Sequence, residues 1–201
     1  FLLEEIMNPI LNLDREVYWD KFNYFDVRNN LFTREQCEEI IKQREVKQYH
    51  QSILGPTNQP VRDSNCYFFN RQENPVIDAG IQKMLSAVHE YNKAYNFELS
   101  VGLNFVQLTE YVPNQYYHTH IDLGAGPASC RKVTIVVQLS DTTTHDGGIS
   151  FCYDVDKIHK LDLRQGDAVI FPSFIQHRAD TVTYGTRHSL VGWVLWASPF
   201  K

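Results

Sequence analysis

Three side chains in the second half of this chain have the types and spacing to close on one metal ion: His120, Asp122 and His177. In an extended strand alternate residues point the same way, so His120 and Asp122 would project together and need one further donor to cap a metal facially. His177 can supply it. Two imidazoles and a carboxylate suit Fe(II) with exchangeable positions left over, and zinc could take the same set. Ten residues beyond His177 stands Arg187, whose planar fork of donors could hold a carboxylate beside that ion. An H-x-D pair alone is weak evidence, because any histidine two residues before an aspartate matches. His118 leaves a second option open, since period-two geometry puts it on the face of His120 and Asp122.

The surrounding pattern supplies elements able to deliver these groups. Asp167 to Phe171 and Pro172 reads as an apolar strand after a Gly166-Asp167 turn, with His177 just beyond its end. Thr183 to Gly185 reads as a turn into a strand from Arg187 to Trp196, on which Arg187, Ser189, Val191 and Trp193 share one face. A guanidinium and a hydroxyl on that face suit a terminal carboxylate; the plain alternative is a solvated Arg187 in a hairpin. Further strands are expected over 98–110, 116–122, 132–139 and 148–153.

Upstream, Thr33 and Gln36 form a capping-box pattern opening a helix to about Lys47. A Gly55 to Pro60 loop follows, then a strand from Val61 to Asn70 with Arg62 and Ser64 on one face. Pro75 starts a longer helix whose Ile77, Ile81, Leu85, Val88 and Tyr91 form a packing stripe. The aromatic-rich segment from Phe1 to about Asn30 is expected to cover a sheet or helix, or to offer an interaction surface. Asp122 to Arg131, with Gly124, Gly126 and Pro127, is expected to be a mobile loop beside the metal. The fold class is α+β, mainly β: a double-stranded β-helix, or jelly roll, backed by N-terminal helices. A single domain is expected over 1–201, with 1–97 as helical support and 98–201 as the jelly-roll catalytic core.

Five ordered blocks resemble the 2-oxoglutarate- and Fe(II)-dependent dioxygenases of the prolyl 4-hydroxylase type, including the PKHD-type hydroxylases. They are Tyr111 to Asp122, Arg131 to Asp141, Asp146 to Phe151, and two within Gly166 to Trp193. The resemblance runs from about Phe105 to Trp196. It implies His120, Asp122 and His177 as iron ligands, Arg187 as partner of the distal carboxylate of 2-oxoglutarate, and Tyr111 lining the cosubstrate pocket with Ser189. Tyr117, Gln138 and Thr134 are further cosubstrate candidates. Arg131, Trp193 and Arg62 are candidate substrate contacts, with Arg131 equally readable as a surface charge. Asn114 stands where the family often has glycine, which a left-handed turn tolerates.

The implied activity is oxidative decarboxylation of 2-oxoglutarate coupled to hydroxylation of a C–H bond, with Fe(II) and O2, and ascorbate as an optional addition. Asp122 points to hydroxylation, since an alanine or glycine there would leave room for halide. The expected substrate is a prolyl residue of a protein or peptide; a free amino acid or small metabolite is the alternative. Nucleobase repair is disfavoured, because AlkB-like enzymes carry a second arginine where this chain has Trp193. A cupin-like enzyme using His118 and no 2-oxoglutarate, or a binding module without iron, are the remaining classes.

Composition bounds these readings. With 201 residues, 43% hydrophobic, the chain can build one substantial core. A net charge of −5 and no Lys/Arg run argue against non-specific nucleic-acid binding. No apolar run approaches the ~20 residues that span a membrane. Cys37, Cys66, Cys130 and Cys152 show no C-x-x-C spacing and are expected as reduced thiols, so a cytoplasmic location is expected.

Overall fold

The computed structural model describes residues 25–48, 50–51, 61–99, 102–154, 157–196 and 199. Most of the aromatic-rich N-terminal segment and the Gly55 to Pro60 loop therefore lie outside the described residues. The strands are β1 (Asp26–Arg28), β2 (His50–Gln51), β3 (Arg62–Asp63), β4 (Asn65–Asn70), β5 (Phe105–Tyr111) and β6 (Tyr116–His120). They continue as β7 (Arg131–Gln138), β8 (Gly148–Asp154), β9 (Lys157–Lys160), β10 (Ala168–Pro172), β11 (His177–Asp180) and β12 (Arg187–Leu195). Two helices, α1 (Arg34–Lys42) and α2 (Pro75–Tyr95), precede β5.

The strands form two antiparallel sheets, ordered β1-β10-β7-β12-β5-β4-β2 and β3-β6-β11-β8-β9. This is the jelly roll that the spacing of turns and strands predicts. Strand alternation divides the larger sheet's side chains into two layers. Val133, Ile135 and Val137 of β7, Leu190 and Val194 of β12, and Val106 and Leu108 of β5 join Ile77, Ile81, Met84 and Val88 of α2 in one buried cluster. The opposite set, Val136, Val169 and Phe171, packs with Ile149 and Phe151 of the smaller sheet. Each fully buried aliphatic side chain contributes about 1.5–3 kcal/mol, so α2 fixes the outer face of the sheet and leaves the inner face for chemistry.

Both helix starts follow their sequence signals. The Thr33 hydroxyl accepts from the Gln36 amide at 3.3 Å, and the Gln36 side chain accepts from the Thr33 amide at 3.1 Å. Asn74 caps α2 ahead of Pro75, and Asn96 ends the helix in the left-handed region.

The N-terminal half does more than supply helices. β4 pairs with β5 in the larger sheet, while β3 pairs with β6 in the smaller one. The single strand expected over Val61 to Asn70 is thus two, because the chain changes sheets at Ser64, as strands at the corner of a sandwich do. Within Asp122 to Arg131, Gly126–Cys130 forms a 3-10 turn. All four cysteines are free thiols. No helix among the described residues is long and apolar enough to cross a membrane.

Candidate active site

His120 ends β6 and His177 opens β11, and the two are direct partners across the ladder. Asp122 lies just past β6, where its backbone amide donates to Ser173 O at 2.9 Å. One ligand atom from each of the three lies within 4.8 Å of the others. Asp122 Oδ1 is 3.6 Å from His120 Nε2, and Oδ2 is 3.6 Å from His177 Nε2.

The histidine tautomers follow from their partners. His120 Nδ1 lies 2.8 Å from His118 O and His177 Nδ1 lies 2.9 Å from Ile175 O. A carbonyl only accepts, so each Nδ1 carries the proton and each Nε2 turns a lone pair toward Asp122. The Thr134 hydroxyl donates to Asp122 Oδ2 at 2.7 Å. Burial alone would raise the Asp122 carboxyl; positive charge at the Nε2 side, carried by His177 and His120 in their protonated forms, together with the Thr134 hydroxyl outweighs it and holds the acid well below its usual range. Burial keeps His177 below the ordinary histidine value, favouring the neutral form that binds metal. Two neutral Nε2 donors and an ionised carboxylate on one face fit Fe(II) with open positions.

The option of His118 as a further ligand does not materialise. Four residues of β6, Tyr117 to His120, face three of β11, His177 to Ala179, so β6 carries a bulge. Tyr117 therefore shares the face of His120, with ring centroids 3.5 Å apart, while His118 is exposed against Tyr116. His118 stands outside the metal-donor group, which removes the geometric basis of the three-imidazole option.

The triad opens into a cavity of about 270 Å³ lined also by Arg62, Tyr111, Arg131, Arg187, Ser189 and Trp193. Tyr111 and Arg187 are cross-strand partners, and the guanidinium lies 5.6 Å from the phenol ring. Arg187 is 2% exposed, donates from Nε to Gln138 Oε1 at 3.1 Å, and has no carboxylate partner among the described residues. Burial lowers its pKa, opposed by Tyr111 and Asp180. A buried guanidinium without a counter-anion is costly, and a ligand carboxylate would relieve that cost.

Arg62 enters from β3, donating to Ser64 Oγ at 2.7 Å and lying 4.7 Å from the Tyr117 ring. Arg131 stacks on Trp193 at 3.9 Å and donates to Asp122 O at 3.2 Å, so it is a pocket residue and not a free surface charge. Trp193 Nε1 is buried without a hydrogen-bond partner. Burial raises the phenols of Tyr111 and Tyr117, which are therefore neutral donors.

Thr134 and Gln138 act at one remove from the cavity, the first through Asp122 and the second through Arg187. Gln107, Val136, Ile149 and Arg178 also line the cavity without having been singled out in the sequence. Gln107 was accessible to period-two counting from Tyr111. Arg178 was not, because β11 is a short half-polar strand without a sequence signal.

Residues 106–195 match the family model described as the 2OG-Fe(II) oxygenase superfamily. A PKHD-type hydroxylase of Idiomarina loihiensis is 30% identical over 89 residues, covering 44% of this chain and 41% of that protein. The chain thus matches about two fifths of that relative's length. The fold is shared with a Pseudomonas putida prolyl-4-hydroxylase, TM-score 0.70 at 16% identity, covering 86% of this chain and 93% of that one. It is also shared with a Trichoplax adhaerens prolyl hydroxylase in complex with a hypoxia inducible factor peptide fragment. That likeness has TM-score 0.65 at 17% identity, covering 86% and 84% of the two chains. Residues 106–195, which carry the donor triad and Arg187 on one jelly roll, are thus similar to the 2OG-Fe(II) oxygenases, whose cofactors are Fe(II), 2-oxoglutarate and O2, and part of that stretch is similar to PKHD-type hydroxylases.

Proposed function

We propose that this chain is an Fe(II)- and 2-oxoglutarate-dependent dioxygenase that hydroxylates a prolyl residue of a peptide or protein. The observation that carries the reading is one cavity lined by both a metal-donor triad and a buried arginine that has no carboxylate partner among the described residues. Bound Fe(II) would supply the centre at which O2 is activated as 2-oxoglutarate loses CO2 to give succinate.

The chain's own residues account for positioning. Arg187 forks onto the distal carboxylate of 2-oxoglutarate, with Ser189 and the Tyr111 hydroxyl as neutral donors beside it. His120 and His177 hold their Nε2 atoms in place through carbonyl partners, and Thr134 holds Asp122. Phe171, edge-on to His177 at 4.8 Å, and Tyr117, stacked on His120, limit water behind the triad.

In this reading Arg62 and Arg131 bind the oxygens of a substrate backbone, with the Trp193 ring backing Arg131. The peptide carried by the Trichoplax adhaerens enzyme supports a peptide reading on a shared fold.

The test is anaerobic titration of Fe(II)-loaded protein with 2-oxoglutarate, followed by oxygen exposure, a succinate assay and a screen of proline-containing peptides. A visible charge-transfer band and succinate establish the class, and peptide-stimulated turnover with a mass gain of one oxygen establishes the substrate. Turnover stimulated only by free amino acids would overturn the peptide reading; bound iron without a band would overturn the cosubstrate.

A further inference from the structure

We propose that His145 is a positioning residue for the cosubstrate arginine, holding Gln138 so that its amide oxygen faces Arg187. The inference rests on the reading of Arg187 as the carboxylate anchor, and it assigns a role to a buried histidine outside the metal site.

The chain of contacts is directional. His145 Nδ1 lies 2.6 Å from Asp146 O, so Nδ1 carries the proton and Nε2 is left as an acceptor. Gln138 Nε2 lies 3.1 Å from that Nε2 and 3.0 Å from Ser140 O, so both amide protons have acceptors. The amide oxygen is thereby turned to Arg187 Nε at 3.1 Å. A guanidinium accepts nothing, so a flipped Gln138 would set N–H against N–H and push the arginine from its seat. Neutral His145 and Ser140 O together forbid that flip.

Protonated His145 would present a donor to the Gln138 amide and drive the same displacement. The groups facing the imidazole are Asp146 and Asp141 from its own loop, and Arg187 and His188 from β12. Lys160 and Asp162 share with it a second cavity of about 300 Å³, behind Gln138. Burial, with Arg187 and His188, outweighs Asp146 and holds His145 below the ordinary histidine value. Its neutral form, and so the arginine's position, is present above that lowered value and is lost as pH falls through it.

The experiment is calorimetric titration of Fe(II)-loaded protein with 2-oxoglutarate under argon, with metal content measured in parallel. It covers wild type, His145→Phe and His145→Gln, between pH 7.5 and 5.5. Loss of the acceptor in His145→Phe should weaken binding about tenfold at pH 7.5 without loss of iron. The glutamine variant, which can still accept from Gln138, should restore most of it. Wild-type affinity should fall more steeply toward low pH than that of His145→Gln, a comparison that stands even where the phenylalanine variant fails to fold. Wild-type affinity in His145→Phe, or equal pH slopes for wild type and His145→Gln, would overturn the proposal alone. No 2-oxoglutarate binding by wild type would overturn the site reading beneath it.

Discussion

His177 and His120 face each other as direct partners across the β6–β11 ladder, their imidazole centroids 4.3 Å apart. Register therefore builds half of the metal site, because a slip of one residue would turn either ring to the opposite face of the sheet. The bulge in β6 spends its extra residue just before His120, which brings Tyr117 onto the metal face and sends His118 out to pair its amide with Val61 O at 2.9 Å.

Asp122 is less constrained, being past the strand end, and its orientation rests on Thr134. Thr134→Val keeps the side chain's shape and β-branching while deleting the hydroxyl that reaches Asp122 Oδ2. Metal affinity should fall about 10–100-fold, the usual cost of losing a group that orients a metal ligand. Competition titration against a chromophoric chelator reads this directly, and an unchanged affinity would count against Thr134 as the support of Asp122.

Arg187→Ala should separate cosubstrate from metal. Iron content should stay near wild type, because no ligand contacts the guanidinium, while 2-oxoglutarate affinity should drop about 30-fold or more from loss of a buried charge-assisted pair. Arg187→Lys should recover only part, as a point charge cannot fork onto a carboxylate. Metal analysis reads the first and the charge-transfer titration the second, and equal affinity in the alanine variant would sink the assignment.

Much of this was readable before any coordinates. His120, Asp122, His177 and Arg187 declare themselves because metal and carboxylate chemistry restrict residue type, and strand geometry restricts spacing. The bulge at Tyr117 was hidden, since adding one residue to a strand leaves no mark on the local pattern. β11 was hidden because four half-polar residues carry no periodicity, and the change of sheet at Ser64 because it depends on which neighbour each half of the segment finds. His145 carries no signal of its own for the same reason: the group it meets, Gln138, stands at the end of β7 and not beside it in the sequence.

Gly185 enters β12 with φ +73, a conformation that side chains with a Cβ resist. An added Cβ would run into Thr144 O and stand 2.8 Å from His145 Cα. Gly185→Ala should cost about 1–3 kcal/mol in backbone strain alone, lowering Tm by about 4 °C or more. Because the turn sets the start of β12, 2-oxoglutarate affinity should weaken with it. Calorimetry and the cosubstrate titration test both; a Tm within error of wild type would show that the loop can move away.

Acid sensitivity should trace in part to a cluster on the back of the same strand. His188 Nε2 lies 3.0 Å from Glu110 Oε2, and Arg44 lies 3.5 Å from the same oxygen. The His188 hydrogen bond, against the opposing effect of burial and with help from Asn65 and Arg44, lowers the Glu110 carboxyl to about 2. A depressed carboxylate contributes stability that is complete above its unfolded value and is lost as pH falls through the folded one, here from about 4.5 toward 2. After screening by solvent that contribution is about 1–2 kcal/mol. Glu110→Gln should therefore be less stable than wild type at pH 7 and should lose less on acidification to pH 3, so the two melting curves converge. Parallel pH dependences of Tm would place the acid response in other carboxylates.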